Sequence, residues 1–530
     1  MKVENLIVGG GIAGLTAAAF LVKAGKAVTV LEKEQKPGGL VNSFTRKGVL
    51  FDGGIRSLED TRILFPMLKQ LGIQMNFVRS QVTVGIEDYT LRINNEENIN
   101  EYRDLLIHFY PENKEEIQNI FKTIGTVMSY MDVLYGIDNP AFLDLKNNHR
   151  FLFKEFLPWL YRYLLTINKI LKLNYPVEDF ISRFTSNQSL IDMIVQHFFR
   201  STPTFFALSY FKLYNDYHYP LGGTGTLVER LTEYITDREG IILTNRRADE
   251  LHPEEKVLLD ITGEGFSYDS LLWAADSKTL YRIIDIEKIK SRKLSKTVKR
   301  KREELELLHG GDSVFTVYLT LEKDKEFFSQ KCSEHFFYTS KTKGLSSVDQ
   351  NYLTHYRETG KIDLLKEYVK QFCLLNTFEI SIPVLRDDTL APPGKTGLIV
   401  SLLFDYDLTK IIKEKGHLEI FKKIMEEAMI DTLDKGVFKR MKDSIIDQFS
   451  STPLTIERIS GNSHGAITGW AFTNSFMPVV HTLPRIFHSV NTPLPSVYQA
   501  GQWTYSPSGF PISIVTGKLA SEKMLKGKRR

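Results

Sequence analysis

Cysteine is nearly absent from this chain. Its 530 residues include two, Cys332 and Cys373. They give no disulfide framework, no C-x-x-C redox pair and no thiolate metal motif, and no metal is expected. A reducing cytoplasm is the simplest compartment for such a chain. An excess of charge is missing too. The 68 basic and 64 acidic side chains leave a formal net charge of +4, too little for a nucleic-acid surface. No apolar run is long enough to span a bilayer, and no internal repeat or low-complexity tract interrupts the sequence. A glycine-rich turn begins at Gly9, so no leader segment is expected ahead of it. What remains is an ordinary globular composition, 42% hydrophobic and 25% charged, in a chain long enough for more than one domain.

The most informative stretch is residues 3–39. Residues 6–8 are apolar and partly β-branched, which suits a buried parallel strand. Gly9, Gly11 and Gly14 follow with the spacing G-x-G-x-x-G, and then Leu15, Ala17, Ala18, Ala19 and Leu21 read as a helix ending near Gly25. Residues 27–31 read as a second strand, closed by Glu32 and Lys33. Each part has a physical task. Gly9 permits a tight turn, Gly11 lets the backbone approach a pyrophosphate, and Gly14 lets the helix close on the sheet. The helix N-terminus presents unpaired N–H groups and a partial positive charge to phosphates. Glu32 is spaced to accept hydrogen bonds from a ribose, and its charge would repel a 2′-phosphate. The pattern predicts a dinucleotide site and disfavours NADP in it.

A further glycine pair, Gly38-Gly39, comes soon after the acid, and Gly53-Gly54 follows Asp52. Such a pair lets backbone lie against the flavin end of a cofactor. At these residues the chain resembles the flavin-dependent amine oxidase and phytoene desaturase superfamily. Many members carry Arg directly after the first pair, where this chain has Leu40. The resemblance implies an α/β fold: a discontinuous Rossmann-like FAD-binding domain with an inserted α+β substrate-binding domain. It puts residues 1–75, 220–285 and 485–530 in the first, and 76–219 and 286–484 in the second, which carries a helical cap.

Later anchors keep the family's order. Pro220-Leu221-Gly222-Gly223 returns the chain to the flavin domain, and in residues 243–251 Ala248 is the implied adenine contact. Ala391-Pro392-Pro393-Gly394-Lys395 resembles a turn of bacterial phytoene desaturases and carotenoid isomerases, as do residues 452–469. Ala500-Gly501-Gln502-Trp503, then Gly509-Phe510-Pro511 and a helix from about Ile512, close the flavin site in that family. By this resemblance FAD is held by Gly9, Gly11, Ile12, Ala13, Gly14, Glu32, Lys33, Gly38, Gly39, Gly54, Ala248, Gly501, Gln502, Gly509, Phe510 and Pro511.

Two side chains are candidates for the chemistry. Arg56 can face the isoalloxazine ring or a substrate head group, or sit in a surface ion pair. His464 can donate a proton at the flavin, or merely cap and pack. Residues 99–195 read as a helical zone broken by Pro111, Pro140, Pro158 and Pro176. Within it, residues 156–173 interleave aromatics with Arg162, Lys169 and Lys172. They read either as an interfacial membrane segment or, by the commoner pattern, as a core helix. The basic run at residues 288–302 reads as a solvated helix or an anionic-lipid contact.

The implied function is FAD-dependent desaturation, saturation or cis–trans isomerisation of an apolar polyene or other isoprenoid lipid, as in phytoene desaturases, carotenoid isomerases and retinol saturases. An external electron donor or acceptor is expected, because no second dinucleotide fingerprint is present to form a nicotinamide domain. Peripheral contact with a membrane is expected as well, and no nucleic-acid partner. The alternatives are a flavin amine oxidase and, in a different class, a non-catalytic binding member resembling the GDP dissociation inhibitors.

Overall fold

Two sheets organise the chain. The computed structural model describes residues 1–95, 98–143 and 149–527. The first sheet is built on Lys2–Val8, flanked in parallel by Val28–Leu31 and Gly265–Trp273. Ile241–Leu243 and Val497–Gln499 extend it on either side, also in parallel. Val28–Leu31 is buried throughout, as a parallel strand covered on both faces must be. Helices Ile12–Lys23 and Phe510–Gly527 pack together in one apolar cluster on this sheet. Segments from the start, middle and end of the chain therefore meet in one sheet. Residues 528–530, the rest of the basic tail, lie outside the described residues.

The second sheet has seven strands in the order Ile445–Ser451, Ser313–Leu321, Thr396–Phe404, Thr377–Ser381, His335–Thr339, Val82–Ile86, Tyr89–Ile93. Side chains alternate across it. Phe315, Val317, Phe336, Phe378 and Leu402 face a core shared with helices Ile362–Leu375 and Leu418–Lys435. Thr316, Phe337, Glu379 and Ser401 face the opposite way, into a cavity. A three-stranded sheet of Leu58–Glu59, Tyr217–Pro220 and Phe77–Arg79 joins the halves.

Phe77–Arg79 and Val82–Ile86 are successive strands in different sheets. One local expectation changes. Pro158 does not break the helical zone. A π-helical turn, Leu152–Phe156, runs straight into helix Leu157–Leu171. Proline in the first turn gives up an N–H that has little to bond, and the wider π turn accommodates its ring.

Candidate functional site

The cradle is made of backbone. Gly9 sits at φ +104°, and a Cβ there would lie 2.6 Å from the carbonyl oxygen of Ala274. A Cβ on Gly14 would lie 2.0 Å from the Gly9 carbonyl oxygen, so this glycine serves close packing. Gly11 is different: a Cβ would meet nothing within 4 Å. It occupies the N-cap position of helix Ile12–Lys23, and no side chain caps that helix. Unpaired helix N–H groups facing open space are what a pyrophosphate needs.

Glu32 closes the cradle. Its Oε2 accepts the Gly10 N–H at 2.8 Å and its Oε1 the Glu34 N–H at 2.9 Å. Each oxygen keeps lone pairs for ribose hydroxyls. Burial pushes its pKa up, and the two N–H groups and Lys33 offset only part of that. Lys33 lines the cavity but spends its ammonium on Glu34 and on the Arg458 carbonyl. Asp52, which sequence reasoning passed over, ties the segments together. Its carboxylate accepts from Ser43 Oγ (2.8 Å), Tyr219 Oη (2.8 Å) and both N–H and hydroxyl of Thr224.

One continuous cavity of about 1540 Å³ runs from this cradle into the second half of the molecule. That exceeds the roughly 300–1,000 Å³ of a pocket for one drug-sized ligand. Of the residues singled out in the sequence, all but Gly14 and His464 line it. Its far end is aromatic, with Trp159, Phe199, Phe205, Phe206, Tyr210 and Phe337. Phe211 is buried in the core behind that wall.

Arg56 is buried, and among the described residues no carboxylate lies within ion-pair distance, so the surface ion-pair reading falls. Its guanidinium donates to the carbonyls of Asp52 (2.7 Å) and Gly54 (2.6 Å) and to Ser401 Oγ (3.2 Å). It thus ties the flavin-side turn to the second sheet. His464 takes the second of its two readings, packing outside the cavity. Its backbone turns left-handed, φ +61°, and its Nδ1 accepts the Gly310 N–H at 3.0 Å. The ring lies against His309 and Tyr406, outside the cavity. Burial, then Lys278 and His309, push its pKa down to about 4. A ring so placed is neutral at pH 7 and does not line the cavity.

The ionisable groups that face the cavity and that the sequence did not single out include Glu59, His335 and Glu379. Burial, with Asp216 nearby, pushes Glu59 up to about 7. No spacing rule finds these residues, because they come from three separate strands.

Helix Leu157–Leu171 forms part of the cavity wall. Trp159 and Tyr163 face inward, and Trp159 Nε1 donates to the Val133 carbonyl at 2.6 Å. The opposite side is exposed and apolar: Phe153 and Tyr161 are each 66% exposed, with Leu157, Leu164 and Leu165 beside them. The core-helix expectation therefore holds for one face only. The basic run at 288–302 lies largely on helix Arg292–Glu306, where Lys288 pairs with Glu250 and Arg302 caps the carbonyls of Tyr281 and Ile284. Among the described residues no helix is long and apolar enough to cross a membrane.

Comparison with known proteins bears on this geometry. Residues 12–525 match the family model described as flavin containing amine oxidoreductase. Similar characterised proteins include all-trans-retinol 13,14-reductase of Danio rerio, 21% identical over 94% of this chain and 82% of that protein. Prolycopene isomerase 1, chloroplastic, of an Oncidium hybrid cultivar is 21% identical over 87% of this chain and 74% of that one. Among solved structures, an oxidoreductase from Methanosarcina mazei superposes with TM-score 0.61 at 14% identity, covering 99% of this chain and 100% of the other. Putrescine oxidase bound to putrescine gives TM-score 0.58 at 13% identity, covering 99% of each chain. At such identities the structures speak for the fold alone. The family match spans nearly the whole chain, and the cradle has the uncapped helix, open glycine and acid that a dinucleotide requires: the chain belongs to the flavin containing amine oxidoreductase family, and its cofactor is FAD.

Proposed function

We propose that the protein is an FAD-dependent oxidoreductase acting on an apolar polyene, by saturation, desaturation or cis–trans isomerisation. The observation that carries this reading is the continuity of the dinucleotide cradle with an aromatic chamber in one cavity. FAD, when bound, supplies the hydride and electron chemistry. The chain's own residues bind, orient and exclude water. Aromatic faces such as Phe205, Phe206 and Phe337 offer large flat apolar contacts to a conjugated chain. The retinol reductase and prolycopene isomerase among the relatives support the same substrate class. Electrons are exchanged with an external partner.

A substrate of this kind is drawn from a bilayer, so the protein docks reversibly on one. Helix Leu157–Leu171 and the turn before it suit that task, with the cavity on one side and an exposed apolar ridge on the other. Cations at Arg162, Lys169 and Lys172 complete an interfacial pattern. Co-sedimentation with anionic vesicles tests it. Binding that Leu164→Ser with Leu165→Ser weakens is expected; no sedimentation by folded, FAD-loaded protein would contradict it.

Turnover tests the function itself. Reduced holoenzyme is incubated without oxygen with all-trans-retinol or prolycopene, and the extract is resolved by chromatography with absorbance detection. A shifted polyene chromophore is expected. Unchanged polyenes, together with reduction of the oxidised holoenzyme's flavin by putrescine or cyclohexylamine in a parallel anaerobic sample, would transfer the protein to amine oxidation.

A further inference from the structure

One wall of the chamber is not apolar. Register across the second sheet aligns Ser451 with Thr316, Thr316 with Ser401, Ser401 with Glu379 and Glu379 with Phe337. All five line the cavity. The row is polar from its Ser451 end through Glu379 and becomes aromatic at Phe337. Ser401 touches Arg56, which holds the flavin-side turn. His335, two residues before Phe337 on the same face, stacks on Tyr217 at 5.3 Å. The polar patch thus lies between the cradle and the aromatic wall.

This patch is incompletely satisfied. His335 is 3% exposed, and its Nε2 has no hydrogen bond of good geometry although Glu379 Oε1 lies 3.1 Å away. The Glu379 side chain keeps 36% of its surface accessible. Burial alone would push Glu379 up, yet His335, Arg56 and Arg386 more than offset that and hold it down. Burial holds His335 down in spite of Glu379. An anionic acceptor and a neutral imidazole thus stand side by side. The Arg386 guanidinium, buried as Arg56 is, donates among the described residues to Ser57, Ser80 and Ser381. Ser57 Oγ also stands 3.4 Å from His335 Nδ1, a contact whose direction the ring tautomer sets; the Glu379 carboxylate 3.1 Å from Nε2 favours the ring proton there.

We propose that Glu379 and His335 are a specificity-determining pair that binds one hydroxyl group on an otherwise apolar polyene. The proposal rests on the polyene reading above and narrows it. A hydroxyl is both donor and acceptor, so it donates to the Glu379 carboxylate and accepts from His335 Nε2–H. A pure hydrocarbon leaves the two groups only their own poorly aligned contact at 3.1 Å. A carboxylate on the ligand meets the Glu379 charge, and an ammonium shares the patch with Arg56 and Arg386.

A ligand series on the FAD-loaded protein tests this, read by titrating the flavin absorbance. The probes are all-trans-retinol, retinoic acid, retinylamine and axerophthene, the hydrocarbon in which hydrogen replaces the retinol hydroxyl. Retinol should bind roughly 10- to 100-fold tighter than the other three. Glu379→Leu and His335→Phe should each bring retinol down towards axerophthene and leave axerophthene unchanged. Axerophthene equal to retinol, or the amine or acid tightest, overturns the pair's role even if no variant folds. A retinol preference that persists in both variants overturns it as well. Failure of all four probes to perturb the flavin would instead remove the polyene reading beneath it.

Discussion

The two ends of the cavity are built from different materials. The cradle end is backbone: glycines, a helix N-terminus and one carboxylate fixed by two N–H groups. The chamber end is side chains delivered by a helical cap and a twisted sheet, several segments apart in sequence. A backbone site has few ways to vary, since any added Cβ either collides or fills ligand space. A side-chain site can change its ligand by exchanging one ring for another. The same fold can therefore keep its cofactor and change its substrate.

That contrast can be broken first at the glycines, where the largest effect is expected. Gly11→Val should abolish FAD retention while the apoprotein keeps its fold, because a Cβ there meets no protein atom within 4 Å. Gly14→Val should instead destroy the fold, its Cβ falling on the Gly9 carbonyl oxygen at 2.0 Å. Flavin-to-protein absorbance ratios and circular dichroism of the two variants separate these outcomes. Glu32→Ala comes next. Losing a charged acceptor costs about 1.5–3 kcal/mol, roughly 10- to 150-fold in FAD affinity, readable by equilibrium dialysis.

At the chamber end the effects should be smaller and confined to substrate. Phe206→Ala removes a ring that packs edge-on against Tyr210 at 5.4 Å. It should weaken polyene binding by about 1–2 kcal/mol and leave FAD occupancy unchanged, as parallel titrations would show. A further effect, on the fold and not on ligand binding, concerns Glu59, which keeps its proton in the folded state up to about pH 7, against 4.5 ordinarily. Between those values the unfolded chain has lost a proton that the folded chain still holds. Stability should therefore fall as pH rises through that window and level off above it. Glu59→Gln should flatten the fall, by at most about 3 kcal/mol, in denaturant titrations at pH 5 and pH 8.

The same contrast explains what could be read from the sequence. Gly9, Gly11, Gly14 and Glu32 announce themselves because their spacing is dictated by one turn and one helix. The closing motif at Gly501 and Gly509 is legible for the same reason. Glu379 and His335 are not, since Thr377–Ser381 and His335–Thr339 are short strands whose register alone brings the two side chains together. His464 stayed ambiguous because a glycine-rich neighbourhood resembles a cofactor loop, while its left-handed backbone and the Gly310 N–H on Nδ1 show only in the fold. Helix Leu157–Leu171 was ambiguous because apolar residues lie on both of its sides, and only packing tells which side is covered.

The central claim is that one cavity brings a polyene to the flavin. Titrating the oxidised holoenzyme with all-trans-retinol, and recording the flavin difference spectrum, tests it most directly. The account predicts a saturable spectral shift that Phe206→Ala weakens without loss of FAD. A flavin spectrum unmoved by saturating retinol and prolycopene, in protein with full FAD occupancy, would contradict it.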